Sequence, residues 1–161
     1  MGANDLSAEL WRQRELLELL LYKYEVEQVL LSTGKTRWIP YATREIESIV
    51  GRLKTAGLSL SMASAQTAAE WGLPEDTHLK GLAESAPEGP WAEILTSHLS
   101  ALVALTNDVR VARSGSDRLL RAALRSTQET LNLIADTPAI YGANGSTSQP
   151  VAHARLVDAS L

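Results

Sequence analysis

At 161 residues the chain suits one domain, long enough to bury a sizeable core. It has no cysteine, which excludes disulfides and thiolate metal sites and fits a reducing compartment. A net charge of −4 argues against a general nucleic-acid binder. The opening residues Met1-Gly2-Ala3-Asn4-Asp5 carry no basic leader pattern, and no apolar run approaches the length of a membrane span. The reading is a soluble, cytoplasmic protein, peripheral at most to a membrane.

Helical periodicity dominates and period-two alternation is scarce, so the expected class is all-α. A first helix is predicted over residues 7–32, ending at Gly34. Leu10, Leu17, Tyr24 and Leu31 repeat every seven residues, flanked by Leu20, Leu21 and Gln28. Leu16, Leu17, Leu19, Leu20 and Leu21 make its middle apolar nearly all round, so it has to be covered on several sides.

A second helix is predicted to start just after Trp38-Ile39-Pro40, where proline suits a first turn, and to stop at Gly72-Leu73-Pro74. Its seam, Ala42, Ile46, Ile49, Leu53, Ala56, Leu60 and Ala63, alternates steps of four and three, as in coiled-coil packing. A short helix is expected over 77–85, between Pro74 and Pro87-Glu88-Gly89-Pro90. The third long helix runs over 90–135, on the stripe Trp91, Leu95, His98, Leu102, Leu105, Val109 and Ala112. After Ser114-Gly115-Ser116 the stripe resumes one position on, at Leu120, Leu124, Thr127, Leu131 and Ile134, which is compatible with a stutter, a bend or a break. Unbroken, that helix is about 70 Å long. The predicted architecture is an elongated antiparallel three-helix bundle or coiled coil over 1–136, followed by a flexible C-terminal tail over 137–161. Pro138, the glycines and the polar run Asn144-Gly145-Ser146-Thr147-Ser148 leave that tail few apolar groups to offset its ordering.

A search for chemistry finds little. Gly34-Lys35-Thr36 resembles the end of a phosphate loop, but Val29 stands where the first glycine is required and no strand precedes it. His78, His98 and His153 are far apart, with no second ligand at helical spacing, so no metal site or cofactor is predicted. His98 reads as a partly buried packing residue. Paired acids such as Glu15 and Glu18 sit on solvated faces, and no serine or threonine has a nucleophile's context. No catalytic residue is assigned, and an enzyme is not expected. Trp11, Trp38, Trp71 and Trp91 lie near helix ends, where capping the bundle core is their default role. The arginines at 110, 113, 118, 121 and 125 read first as a solvated stripe and second as a surface for an acidic partner.

With this layout, the chain resembles the FlgN-type flagellar export chaperones. The opening, Trp11 followed by Leu16-Leu17-Glu18-Leu19-Leu20 and the acids through Glu25 and Glu27, is similar to the family's first helix. The segment Tyr141-Gly142-Ala143-Asn144-Gly145-Ser146-Thr147-Ser148 is similar to one that enterobacterial members carry after their last helix. The connector over 74–90 and the ending Arg155-Leu156-Val157-Asp158 depart from the enterobacterial pattern. The resemblance implies a non-catalytic chaperone that binds hook–filament junction (hook-associated) proteins before type III secretion. It also implies delivery to the membrane protein of the export gate. Cargo contacts are then expected at Leu120, Leu124, Leu131, Ile134, Leu156 and Val157, and gate docking at Tyr141, Gly142, Asn144 and Gly145. The alternative is a self-assembling structural or regulatory coiled coil, in which the same apolar edge closes a homodimer.

Removal of residues 137–161 is expected to leave helix content and melting temperature nearly unchanged, because the core stripes end before them. Circular dichroism of the shortened chain checks this, and its unfolding would overturn the division into a helical domain and a binding tail.

Overall fold

The computed structural model describes residues 2–135. Helix α1 spans Gly2–Ser32, a 3-10 turn spans Thr36–Trp38, and α2 spans Ile39–Glu70. A short α3 spans Leu79–Glu84 and α4 spans Trp91–Ala135. No strand occurs among the described residues. The chain divides by its contacts into Met1–Ala123 and Leu124–Leu161.

The α1–α2 hairpin is antiparallel, and its register is visible in cross-helix pairs. The Gly2 amide donates to both Glu70 carboxylate oxygens, at 3.0 and 2.9 Å. Lys23 Nζ lies 2.7 Å from Glu45 Oε2, and Thr43 Oγ1 donates to Glu27 Oε1 at 3.0 Å. Both α1 and α2 end in the same way. Lys35 N–H reaches back to the Leu30 carbonyl and Gly34 N–H to Leu31, with Gly34 at φ +70°. Leu73 N–H reaches Ala68 and Gly72 N–H reaches Ala69, with Gly72 also at φ +70°. This paired closure satisfies the last carbonyls and needs a residue that tolerates the left-handed region, which glycine does at no steric cost.

Helix α1 begins five residues before the predicted start. Sequence patterning undervalues Gly2-Ala3-Asn4-Asp5-Leu6, but Ala3 and Leu6 are buried against the far end of the hairpin. Glu70 holds the first turn from outside. The Gly2 amide in turn keeps the Glu70 carboxyl below its ordinary pKa.

The core has two parts. One gathers Leu6, Leu10, Ala63, Ala68, Leu82, Ala83 and Leu95, with Trp71, Leu73 and Leu79 packed against it. The 71–90 connector thus closes this part of the bundle with α3 and the residues before it. The other gathers Leu16, Leu20, Ile46, Ile49 and Ala56, with Val109 of α4 alongside. The predicted α2 seam is therefore the buried face, with Leu53 and Leu60 only half-buried. On α1 the centre lies at Leu6, Leu10, Leu16, Leu20 and Glu27, beside the heptad line read from sequence.

Helix α4 runs parallel to α1, since the start of α1 meets residue 98 and its later part, at 24 and 28, meets residues 112–116. Ser7 Oγ meets His98 Nε2 at 3.3 Å, Gln28 Nε2 donates to the Ala112 carbonyl at 2.7 Å, and Ser116 Oγ donates to the Tyr24 carbonyl at 3.4 Å. The helix passes unbroken through Ser114-Gly115-Ser116. A side chain at Gly115 would bring its Cβ to 3.1 Å from Gln28 Nε2, so the small residues let α4 approach α1 closely where the stripe shifts. Trp71 packs on the core as expected, whereas Trp11 and Trp38 are substantially exposed and belong to neither core cluster.

His98 is buried against α1, edge-on to Trp11 with ring centroids 5.1 Å apart. Burial, and secondarily the Arg14 guanidinium, hold its pKa below the usual histidine value. The unfolded chain therefore binds this proton more readily than the folded one. The contribution is complete above about pH 6.5 and is lost as pH falls from there toward the folded pKa. Chemical denaturation at stepwise lower pH is expected to show this loss, and His98→Gln is expected to flatten it. An unchanged slope in the variant would assign the loss to other groups; Glu70 contributes with the same sign but in the more acidic carboxylate range.

Candidate functional site

Among the described residues no group of three or more histidine, cysteine or acidic side chains could hold a metal ion. Three of the buried polar side chains have structural partners, whereas His98 Nδ1 is buried without a hydrogen bond. Glu27, only 2% exposed, accepts from Thr43; Thr67 Oγ1 donates to the Ala63 carbonyl at 2.7 Å; Ser116 donates to Tyr24. The Glu27 and Ser116 bonds join α1 to its neighbours, and the Thr67 bond lies within α2.

What the structure offers is surface. The first unit carries a cleft of about 510 Å³ lined by Tyr24, Glu27, Ile46, Val50, Arg113 and Leu120, among others. Leu120 is half-buried in its wall. Burial pushes the Tyr24 phenol above its ordinary pKa, with Arg113 opposing and Glu27 and Asp117 reinforcing the rise. Sequence reasoning placed Glu27 in an acidic stretch and missed its burial. The available signal was its position, seven residues after Leu20 on the core-facing line of α1.

In the second unit, the described part is the helical stretch 124–135. Leu124, Leu131 and Ile134 are 70%, 55% and 66% exposed. Their spacing of seven and then three residues places them within an arc of about 80° on the helix. An apolar line of this kind, open to solvent, is the usual face of a helix that lies against another helix. Leu120 has a different setting, in the cleft wall of the first unit. Tyr141, Gly142, Asn144, Gly145, Leu156 and Val157 lie outside the described residues.

A comparison with protein families now bears on this all-helical layout. The model of the FlgN family, described as FlgN protein, matches residues 1–149. The chain belongs to the FlgN family. The match includes both long helices of the hairpin, α4, and the stretch with Tyr141, Gly142, Asn144 and Gly145, while Leu156 and Val157 lie beyond it. Neither a curated protein nor a solved structure matches the chain. FlgN proteins are chaperones of flagellar export, and family membership gives this chain that general role. Within the described residues no helix is long and apolar enough to cross a membrane.

If the face on 124–135 serves contact and not folding, its loss should not matter to the isolated protein. The double variant Leu124→Gln and Leu131→Gln is expected to change unfolding free energy by no more than about 0.5 kcal/mol, as at ordinary surface positions. Leu10→Ala in the core should cost about 2–5 kcal/mol. Denaturant titration of the two variants checks the contrast, and a core-sized loss in the first would mean the face is already covered within the folded protein.

Proposed function

We propose that this FlgN-family chaperone binds hook–filament junction proteins in the cytoplasm before type III secretion and brings them to the export-gate membrane protein. The observation that supports this most directly is the exposed line Leu124, Leu131 and Ile134, on a helical stretch of a chain whose family handles flagellar export. A cargo segment with an apolar helical stripe needs cover only until it is secreted. A chaperone helix with a matching stripe supplies that cover. Leu120, Leu156 and Val157 are further proposed cargo contacts. Tyr141, with Gly142, Asn144 and Gly145, is proposed to contact the gate. The second reading, a homodimer closed by the same edge, is supported by the same exposed leucines.

Calorimetric titration with a junction protein from the same organism tests the proposal. The full-length chain is expected to bind tightly at one-to-one stoichiometry. Leu124→Gln with Leu131→Gln is expected to weaken binding by about tenfold or more, the effect of losing central apolar anchors. Tyr141→Ala should leave cargo affinity intact and reduce binding to the gate protein. Failure of the full-length chain to bind cargo, together with a leucine-dependent dimer in light scattering, would replace the cargo reading with self-assembly.

A further inference from the structure

The turn between α1 and α2 has a composition unlike the rest of the protein. No acidic residue occurs between Glu27 and Glu45, while Lys35, Arg37 and Arg44 fall within that run. The two bordering acids are engaged: Glu27 is buried and accepts from Thr43, and Glu45 is held by Lys23 at 2.7 Å. A chain of net charge −4 thus carries a locally cationic turn.

The same turn exposes aromatic rings. Trp38 is 44% and Tyr41 59% exposed, with ring centroids 5.8 Å apart. The Arg37 guanidinium lies 4.5 Å from the Trp38 ring centre, and that of Arg44 lies 5.3 Å from the Tyr41 ring centre. These contacts hold cations and rings together on one surface. The backbone beneath is well determined. Gly34 closes α1, the 3-10 turn follows, and Pro40 stands in the first turn of α2. Every residue from Ser32 through Trp38 is exposed, so the turn is convex. Neither α4 nor the connector supplies a partner to these rings among the contacts described above.

We propose that this turn is a membrane-contact tip that docks on anionic lipid headgroups. Tryptophan and tyrosine favour the membrane–water interface because their rings are apolar with a polar edge. Lysine and arginine beside them reach phosphate while their stems lie along apolar surface. An anionic leaflet attracts such cations from solution. A protein partner is the weaker fit, because a stable interface usually needs about 800 Å² from each side with matched shape, and a single convex turn offers neither. Single-stranded nucleic acid is the weaker fit, because its binding sites are cationic grooves that track the backbone and a convex turn offers none. The inference does not depend on the identity of the cargo or on the face at 124–135.

Co-sedimentation of the full-length protein with phosphatidylglycerol–phosphatidylcholine vesicles, against pure phosphatidylcholine vesicles, tests it. Binding is expected only to the anionic vesicles and should fall as salt is raised. Lys35→Gln and Arg37→Gln are each expected to weaken it about fivefold, equivalent to about 1 kcal/mol per cation near the surface. Trp38→Ala should weaken it without changing the charge. The charge variants alter exposed side chains only, so they keep the test valid if Trp38→Ala disturbs the turn. No binding to anionic vesicles, or binding unchanged in the charge variants, overturns the proposal. So does tip-dependent binding to polyglutamate or to a single-stranded oligonucleotide without binding to vesicles.

Discussion

Helix α1 cannot be satisfied by one neighbour, and the arrangement of the first unit follows from that. Its leucines occupy nearly every side of the middle turns, so a hairpin with α2 leaves apolar surface still in water. Helix α4 supplies the second cover. It runs parallel to α1 from the end where α2 finishes beside Gly2, so the connector has only to cross that end of the bundle. That connector is itself used, since Leu73, Leu79, Leu82 and Ala83 complete the core around Leu6, Leu10 and Leu95. Each fully buried leucine of this set contributes roughly 1.5–3 kcal/mol relative to exposure.

Much of this was legible in the sequence because it rests on spacing. The α2 seam at steps of four and three is the buried face, and glycines at 34 and 72 close helices where proline and glycine punctuation placed the ends. The parts that were not legible depend on distant partners. Nothing in Gly2-Ala3-Asn4 announces a helix start, because the group that supports it, Glu70, is at the other end of the hairpin. A single heptad line could not describe a helix covered from two directions, so the centre of α1 was read slightly to one side. Ser114-Gly115-Ser116 carried an ambiguous signal for the same reason. A glycine costs a helix about 1 kcal/mol relative to alanine, and only the position of Gln28 and Tyr24 on α1 shows that close approach is the return.

The proposed contact surface was legible to a different degree. Leu124, Leu131 and Ile134 were set apart by periodicity, and their exposure distinguishes them from the core stripe they continue. Leu120 belongs to that stripe in sequence but lines a cleft in the folded unit. The cationic, aromatic turn at 33–44 has no periodicity to reveal it. Its signal is an absence of acids over a stretch of otherwise ordinary composition, and this acquires meaning only once Glu27 is seen buried and Glu45 paired.

The large aliphatic side chains of the two core clusters differ slightly in exposure. Leu6, Leu10, Leu82 and Leu95 are wholly enclosed, whereas Leu16, Leu20, Ile46 and Ile49 retain 4–7% of their surface. The enclosed half is the one plugged by the connector. The molecule therefore has a direction in which it can loosen. Local opening costs least where fewest apolar contacts are broken, so the backbone near the α1–α2 turn should exchange its amide protons first and the connector end last.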